Sequence, residues 1–182
     1  MTELRLAVSI LLLLTLPLAQ AETLSGRVVR VTDGDTIVVL DSSKVQHKIR
    51  LTGIDAPERG QAFGTKSKEY LSDLVAGKSV VVDYSKYDRY QRILGKVLVN
   101  GEDVNLEQVE AGMAWHYKKY QGEQSSSDRV KYSDAELEAR RHKLGLWHDP
   151  NPMPPWEFLQ AKREQMNELK SFLGKSTVRG AQ

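Results

Sequence analysis

No cysteine occurs in the 182 residues. That excludes a disulfide framework, any thiolate metal centre and a lipidated cysteine behind a leader. A domain of roughly 160 residues buries enough surface without such staples, so the compartment stays open on this count. Histidine is scarce as well: His47, His116, His142 and His148 form no His-x-x-x-His or His-Glu-x-x-His pattern, so a zinc site is not expected. Charge of one sign is also missing. Lys and Arg number 26 against 24 Asp and Glu, a net +2, which does not describe a non-specific DNA coat. Any attraction to phosphate has to come from local clusters. No internal repeat is evident.

Long apolar runs are confined to the N-terminus. Residues 6–21 are uncharged, contain four consecutive leucines, follow Arg5 and close on Ala19-Gln20-Ala21. A membrane-spanning helix needs about 20 apolar residues, and this shorter run ends in a small-x-small cleavage pattern. The expectation is a signal peptide over residues 1–21, a mature chain from Glu22, and export to periplasm or medium.

Residues 24–106 read as a small barrel. "LSGRVVRVTDGDTIVVL" (24–40) holds two apolar runs around Asp33-Gly34, a tight-turn signal. "VQHKIRLTGI" (45–54) and "SVVVDYSKY" (79–87) each read as a strand, and "RILGKVLVNGEDVNL" (92–106) as two strands around Asn100-Gly101. About five strands suit a barrel better than an immunoglobulin-type sandwich. Helices are expected in "TKSKEYLSDLVAG", where Tyr70, Leu71, Leu74 and Val75 share a face, and in "NLEQVEAGM". A third is expected from a capping box at Ser133 and Glu136 to Gly145. "GEQSSSDR" (122–129) reads as a polar loop, and a last helix follows the prolines in residues 151–182. Trp147 and Trp156 flank those prolines as staples for the C-terminal segment, with base stacking as the alternative.

Three clusters carry chemistry. "DGDT" (33–36) puts Asp33 and Asp35 at a turn, without the later ligands of an EF-hand loop. "RLTGIDAPERG" (50–60) delivers Arg50, Asp55 and Glu58 within nine positions, and Pro57 fixes the backbone before Glu58. "DYSKYDRYQR" (83–92) interleaves Lys86, Arg89 and Arg92 with Tyr84, Tyr87 and Tyr90. Each alone also suits an ordinary turn or strand edge. Jointly, two aspartates offer hard oxygen ligands, two arginines offer charge to a phosphodiester, and a glutamate offers a base for water.

"VTDGDT", "IRLTGIDAPE", "DRYQR" and "EAGMAWHYKKY" stand in the order and spacing of the staphylococcal nuclease (thermonuclease-like) family, which the chain resembles over about residues 24–150. "LGLWHDPNPMPPWEF" is similar to the tail of exported bacterial members. The resemblance implies a five-stranded OB-type β-barrel with about three helices packed on it and a C-terminal helical tail. It implies Ca²⁺-dependent cleavage of DNA and RNA at the 5′-oxygen side, leaving 3′-phosphate ends. By position, Asp35, Asp55 and the Ala56 carbonyl match the calcium ligands, with Asp33 beside them. Glu58 matches the residue that positions or activates water, and Arg50 and Arg92 match the phosphate-binding arginines. Arg89, Tyr90, Trp115 and Tyr117 match residues that contact the nucleotide. Ala56 replaces a threonine and Trp115 a tyrosine of the family pattern. The rival is a non-catalytic OB module that binds nucleic acid, which would need the cations and aromatics but not the paired carboxylates. A monomer is the default expectation.

Overall fold

The computed structural model describes residues 22–179, with side chains described as far as Leu173. The expected signal peptide, residues 1–21, lies outside them. β1 (Glu22–Asp33), β2 (Thr36–Leu40) and β3 (Gln46–Leu51) form an antiparallel meander. After β4 (Ile54–Asp55) and α1 (Gly64–Val75) the chain returns as β5 (Ser79–Tyr87) against β1, then β6 (Ile93–Val99) against β5. A parallel pairing of β3 with β6, Ile49 opposite Ile93, closes these five strands into a barrel. β7 (Glu102–Asp103) extends β6 through a turn in which Asn100 and Gly101 both have positive φ, 53° and 89°. That is the backbone a two-residue hairpin requires.

The interior follows from strand alternation and one helical stripe. Val28, Ile37, Val39, Ile49, Leu51, Val82, Ile93 and Val97 fill the barrel. α1 closes one end through Leu71 and Val75, with Tyr70 and Leu74 at the margins of the same face, and stops at Gly77 with φ 70°. α2 (Val104–Glu110) is capped by the Asp103 carboxylate, which accepts from the Leu106 N–H. Its Asn105 bridges the seam, donating to the Thr52 and Gly95 carbonyls and accepting from the Val97 N–H.

β8 (Trp115–His116) pairs with β4, and a 3₁₀ turn over Lys118–Glu123 leads into α3. Two expectations fail at this point. α3 runs Ser126–Arg141, so Ser133 lies inside it, and residues 126–129 of the expected loop are its first turn. Ser125 is the cap, its hydroxyl accepting from the Asp128 N–H. The first turn buries nothing, and the helical stripe shows only from Tyr132 through Ala135, Glu136 and Ala139. α4 (Pro155–Arg179) starts on the last of the prolines, at the end of the stretch where a helix was expected to begin. No helix among the described residues is long and apolar enough to cross a membrane.

Candidate active site

The barrel mouth delivers the charged residues from three neighbouring chain segments. Thr36 pairs with Arg50 across β2 and β3, and the Leu51 N–H donates to the Asp35 carbonyl at 2.8 Å. Asp35 and Arg50 are therefore held side by side by backbone bonds. β4 then turns Asp55 back toward the same point. Arg50 lies between the two carboxylates, with Nη1 2.8 Å from Asp35 Oδ2 and Nη2 2.6 Å from Asp55 Oδ1. The other Asp35 contacts are the Ala56 N–H at 2.9 Å on Oδ2 and the Thr36 hydroxyl on Oδ1. Gly34 is required beside them, because a Cβ there would collide with Ser67 of α1 and with Ala56. Gln108 of α2 secures the turn by donating to the Gly34 carbonyl.

Electrostatically the group has more negative charge than its guanidinium balances. Burial pushes the Asp35 carboxyl up to about 7, with Arg50 pulling it down and Asp33 and Asp55 pushing it further up. Burial likewise raises Asp55 to about 6, again against Arg50. Glu58, half-buried, is raised by burial and then by Asp33. Burial opposes the Arg50 charge, but the Asp35 and Asp55 carboxylates outweigh it and keep the guanidinium charged. Among the described residues no three His, Cys, Asp or Glu side chains converge into a ready-made cation cage. Asp35, Asp55 and the Ala56 carbonyl can still supply oxygen to a hard cation whose shell is completed by water and substrate.

All of this opens into a cleft of about 1140 Å³, lined also by Glu58, Arg89, Tyr90, Arg92 and Tyr117. The turn between β5 and β6 is organised by Asp88, a residue that sequence reasoning missed. Its carboxylate accepts from the Tyr90 and Arg92 N–H groups and, at 2.7 Å, from Arg92 Nε. Tyr90 is well exposed, with Arg89 4.8 Å and Arg92 5.6 Å from its ring centroid. The signal was present as the Asp-x-x-x-Arg spacing within "DRYQR".

The aromatic expectations divide. Tyr117 lines the cleft, and its phenol is raised by burial and then by the Asp55 carboxylate. Trp115 does not reach the cleft. It is buried beside Trp147, centroids 4.3 Å apart, in a cluster with Ala139 and Leu146, and it lines a separate hollow of about 600 Å³. Trp147 packs in that cluster, and the ring contacts that tie the C-terminal segment to β8 and to Tyr117 are those of Trp156. Trp156 does more: it lines the cleft from α4 together with Leu159 and Arg163.

Residues 48–149 match the family model described as staphylococcal nuclease homologue. That span includes Arg50, Asp55, Glu58 and Arg92, and begins after Asp35. A protein of Escherichia coli named as an uncharacterized endonuclease is 50% identical over 132 residues, 72% of this chain and 82% of its own length. One of Haemophilus influenzae with the same description is 42% identical over 162 residues, 88% of each chain. A Shigella flexneri protein named micrococcal nuclease is 41% identical over 151 residues, 78% of this chain and 84% of its own.

Proposed function

Since the chain belongs to the staphylococcal nuclease homologue family, with nucleic acid as its substrate, we propose that it is an exported, calcium-dependent endonuclease. It hydrolyses phosphodiester bonds of DNA and RNA at the 5′-oxygen side and leaves 3′-phosphate ends. The observation that carries the reading is Arg50 held between Asp35 and Asp55 in a cleft that Glu58 and Arg92 also line. A module that merely binds nucleic acid has no use for buried carboxylates facing phosphate.

Asp35, Asp55 and the Ala56 carbonyl would hold the cation, and the excess of carboxylates over guanidinium at their site favours one. When bound, Ca²⁺ supplies positive charge that offsets the phosphodiester and the charge gained in the transition state. Arg50 and Arg92 hydrogen-bond the non-bridging oxygens, and Arg92 also stabilises the leaving 5′-oxygen. Glu58 orients a water and accepts its proton as the water oxygen bonds phosphorus. The bond to the 5′-oxygen breaks, the phosphate stays on the 3′-oxygen, and solvent protonates the new 5′-hydroxyl. Arg89, Tyr90 and Tyr117 contact the bound nucleotide. The uncharged run of residues 6–21 with its small-x-small end supports export, and the mature protein acts as a monomer.

Mass analysis of an oligonucleotide digest made in Ca²⁺ tests the direction of cleavage. Fragments ending in 3′-phosphate, with 5′-hydroxyl partners, are expected. Fragments carrying 5′-phosphate would contradict the arrangement.

A further inference from the structure

Trp156 sits where the cleft lacks its second aromatic wall. Trp115 has turned away into the cluster with Trp147, and the ring that faces Tyr117 is Trp156, 5.4 Å between centroids and 14° from parallel. Trp115 backs Trp156 edge-on at 5.7 Å. Held by these two rings, Trp156 still keeps 37% of its surface exposed where it lines the cleft. One turn and two turns further along α4, Leu159 and Arg163 line the same cleft, the spacing of one helix face. Arg163 donates from Nε to the Leu159 carbonyl, and no carboxylate among the described residues pairs with it.

The segment is also tied to the catalytic loop. Gln61 accepts from the Glu58 N–H at 2.9 Å and donates to the Met153 carbonyl, just before α4, at 2.6 Å. The start of α4 is thus fastened through Gln61 to the backbone of Glu58.

We propose that the first turns of α4 form a nucleotide subsite: Trp156, supported by Tyr117 and Trp115, stacks on an unpaired base next to the scissile phosphate, and Arg163 holds the adjoining phosphate. The inference rests on the nuclease reading of this cleft and adds to it a subsite on residues beyond those the family model matches. A base within a duplex has its faces covered by its neighbours, so Trp156 contributes to binding only where a base is unpaired. Base–aromatic stacking and a phosphate contact are the two components of single-strand recognition in general.

The test is fluorescence anisotropy with a fluorescein-labelled oligothymidine and a labelled hairpin duplex, using the full mature chain and its variants on the Glu58→Gln background to prevent cutting. Trp156→Ala should weaken oligothymidine binding about tenfold, the loss expected of one stacked base. Trp156→Phe should restore most of it, and the duplex should change less than twofold. Arg163→Gln, a surface substitution, should weaken oligothymidine binding and reduce its salt slope by about 0.7. Oligothymidine affinity within twofold of the parent in both Trp156→Ala and Arg163→Gln would overturn the subsite, as would equal weakening on the duplex. Cleavage by the unsubstituted chain is read separately in Ca²⁺. If binding follows these expectations but nothing is cut, the catalytic reading fails and the subsite stands.

Discussion

Arg92 owes its direction to Asp88. The Asp88 carboxylate holds the turn by two backbone N–H groups and grips the guanidinium at Nε, which leaves the two terminal nitrogens free to approach phosphate. Burial raises the Asp88 carboxyl, but the Arg92 backbone and side-chain bonds outweigh it and hold the pKa below the usual carboxylate range. Asp88→Ala should therefore cut turnover about tenfold or more while KM moves less, since a misdirected group acts chiefly on the transition state. Steady-state kinetics beside a melting curve check it: an unchanged turnover would remove Asp88 from the account. Arg50, Asp55 and Glu58 were legible in the sequence because nine consecutive positions hold them. Asp88 stands in "DRYQR" beside Arg92, but its grip on that guanidinium depends on a turn in which Gln91 takes φ 60°. Trp115 and Trp156 exchanged expected places for a longer-range reason. Trp115 is drawn aside by Leu146 and Trp147, residues some thirty positions away.

Among the elements, β8 is the least self-sufficient. It has two residues, pairs among the described residues only with β4, and is pinned from α3 by Glu136, whose carboxylate accepts from the His116 N–H and pairs with Lys118 and Arg140. His116 is buried, and its Nε2 donates to Gln124 Oε1 at 2.9 Å. Burial lowers its pKa, the Gln124 bond and Glu136 pull it up, and Lys118 lowers it further. The folded state thus favours neutral imidazole, while the unfolded chain takes up a proton near pH 6.5. The unfolded state binds more protons below that point, so this contribution to stability is lost as pH falls from about 6.5 toward the lowered pKa. Asp35 and Asp55 titrate in the opposite sense over the same range, so the comparison has to be with His116→Gln. Denaturation in urea at pH 7.5 and 5.5 should show the unsubstituted chain losing stability relative to His116→Gln on acidification; the opposite sign would contradict a buried neutral imidazole. Elements with a strong local pattern, such as α1 and the hairpin at Asn100-Gly101, were legible. The start of α3 was not, because its first turn is polar and exposed and only tertiary contacts from Tyr132 onward distinguish it from a loop.

On the scale of the whole molecule, closure of the barrel makes the site. The parallel pairing of β3 with β6 sets Arg50 opposite Leu94 and so brings the turn carrying Arg92 beside the carboxylates. Asn105 seals that seam from inside. A strand count was readable from turns and alternation, whereas this pairing joins residues about 44 positions apart and has no local signature. The order of motifs implied the fold through resemblance, and the family match agrees with it. The position of α4 against the cleft had no comparable signal, since most of its described side chains are exposed and polar patterning alone does not say what a helix covers.

A cation site, two phosphate-binding arginines and a base for water, combined in one cleft, make a nuclease whose cutting needs each of them. Cleavage of single-stranded and duplex DNA by the mature chain in Ca²⁺, in Mg²⁺ and in chelator, beside Glu58→Gln, tests it most directly. Cutting should depend on Ca²⁺ and fall at least about a hundredfold in turnover in the variant, within the range of a lost general base, while substrate binding is nearly retained. Cutting in chelator, or an unaltered rate in Glu58→Gln, would contradict it.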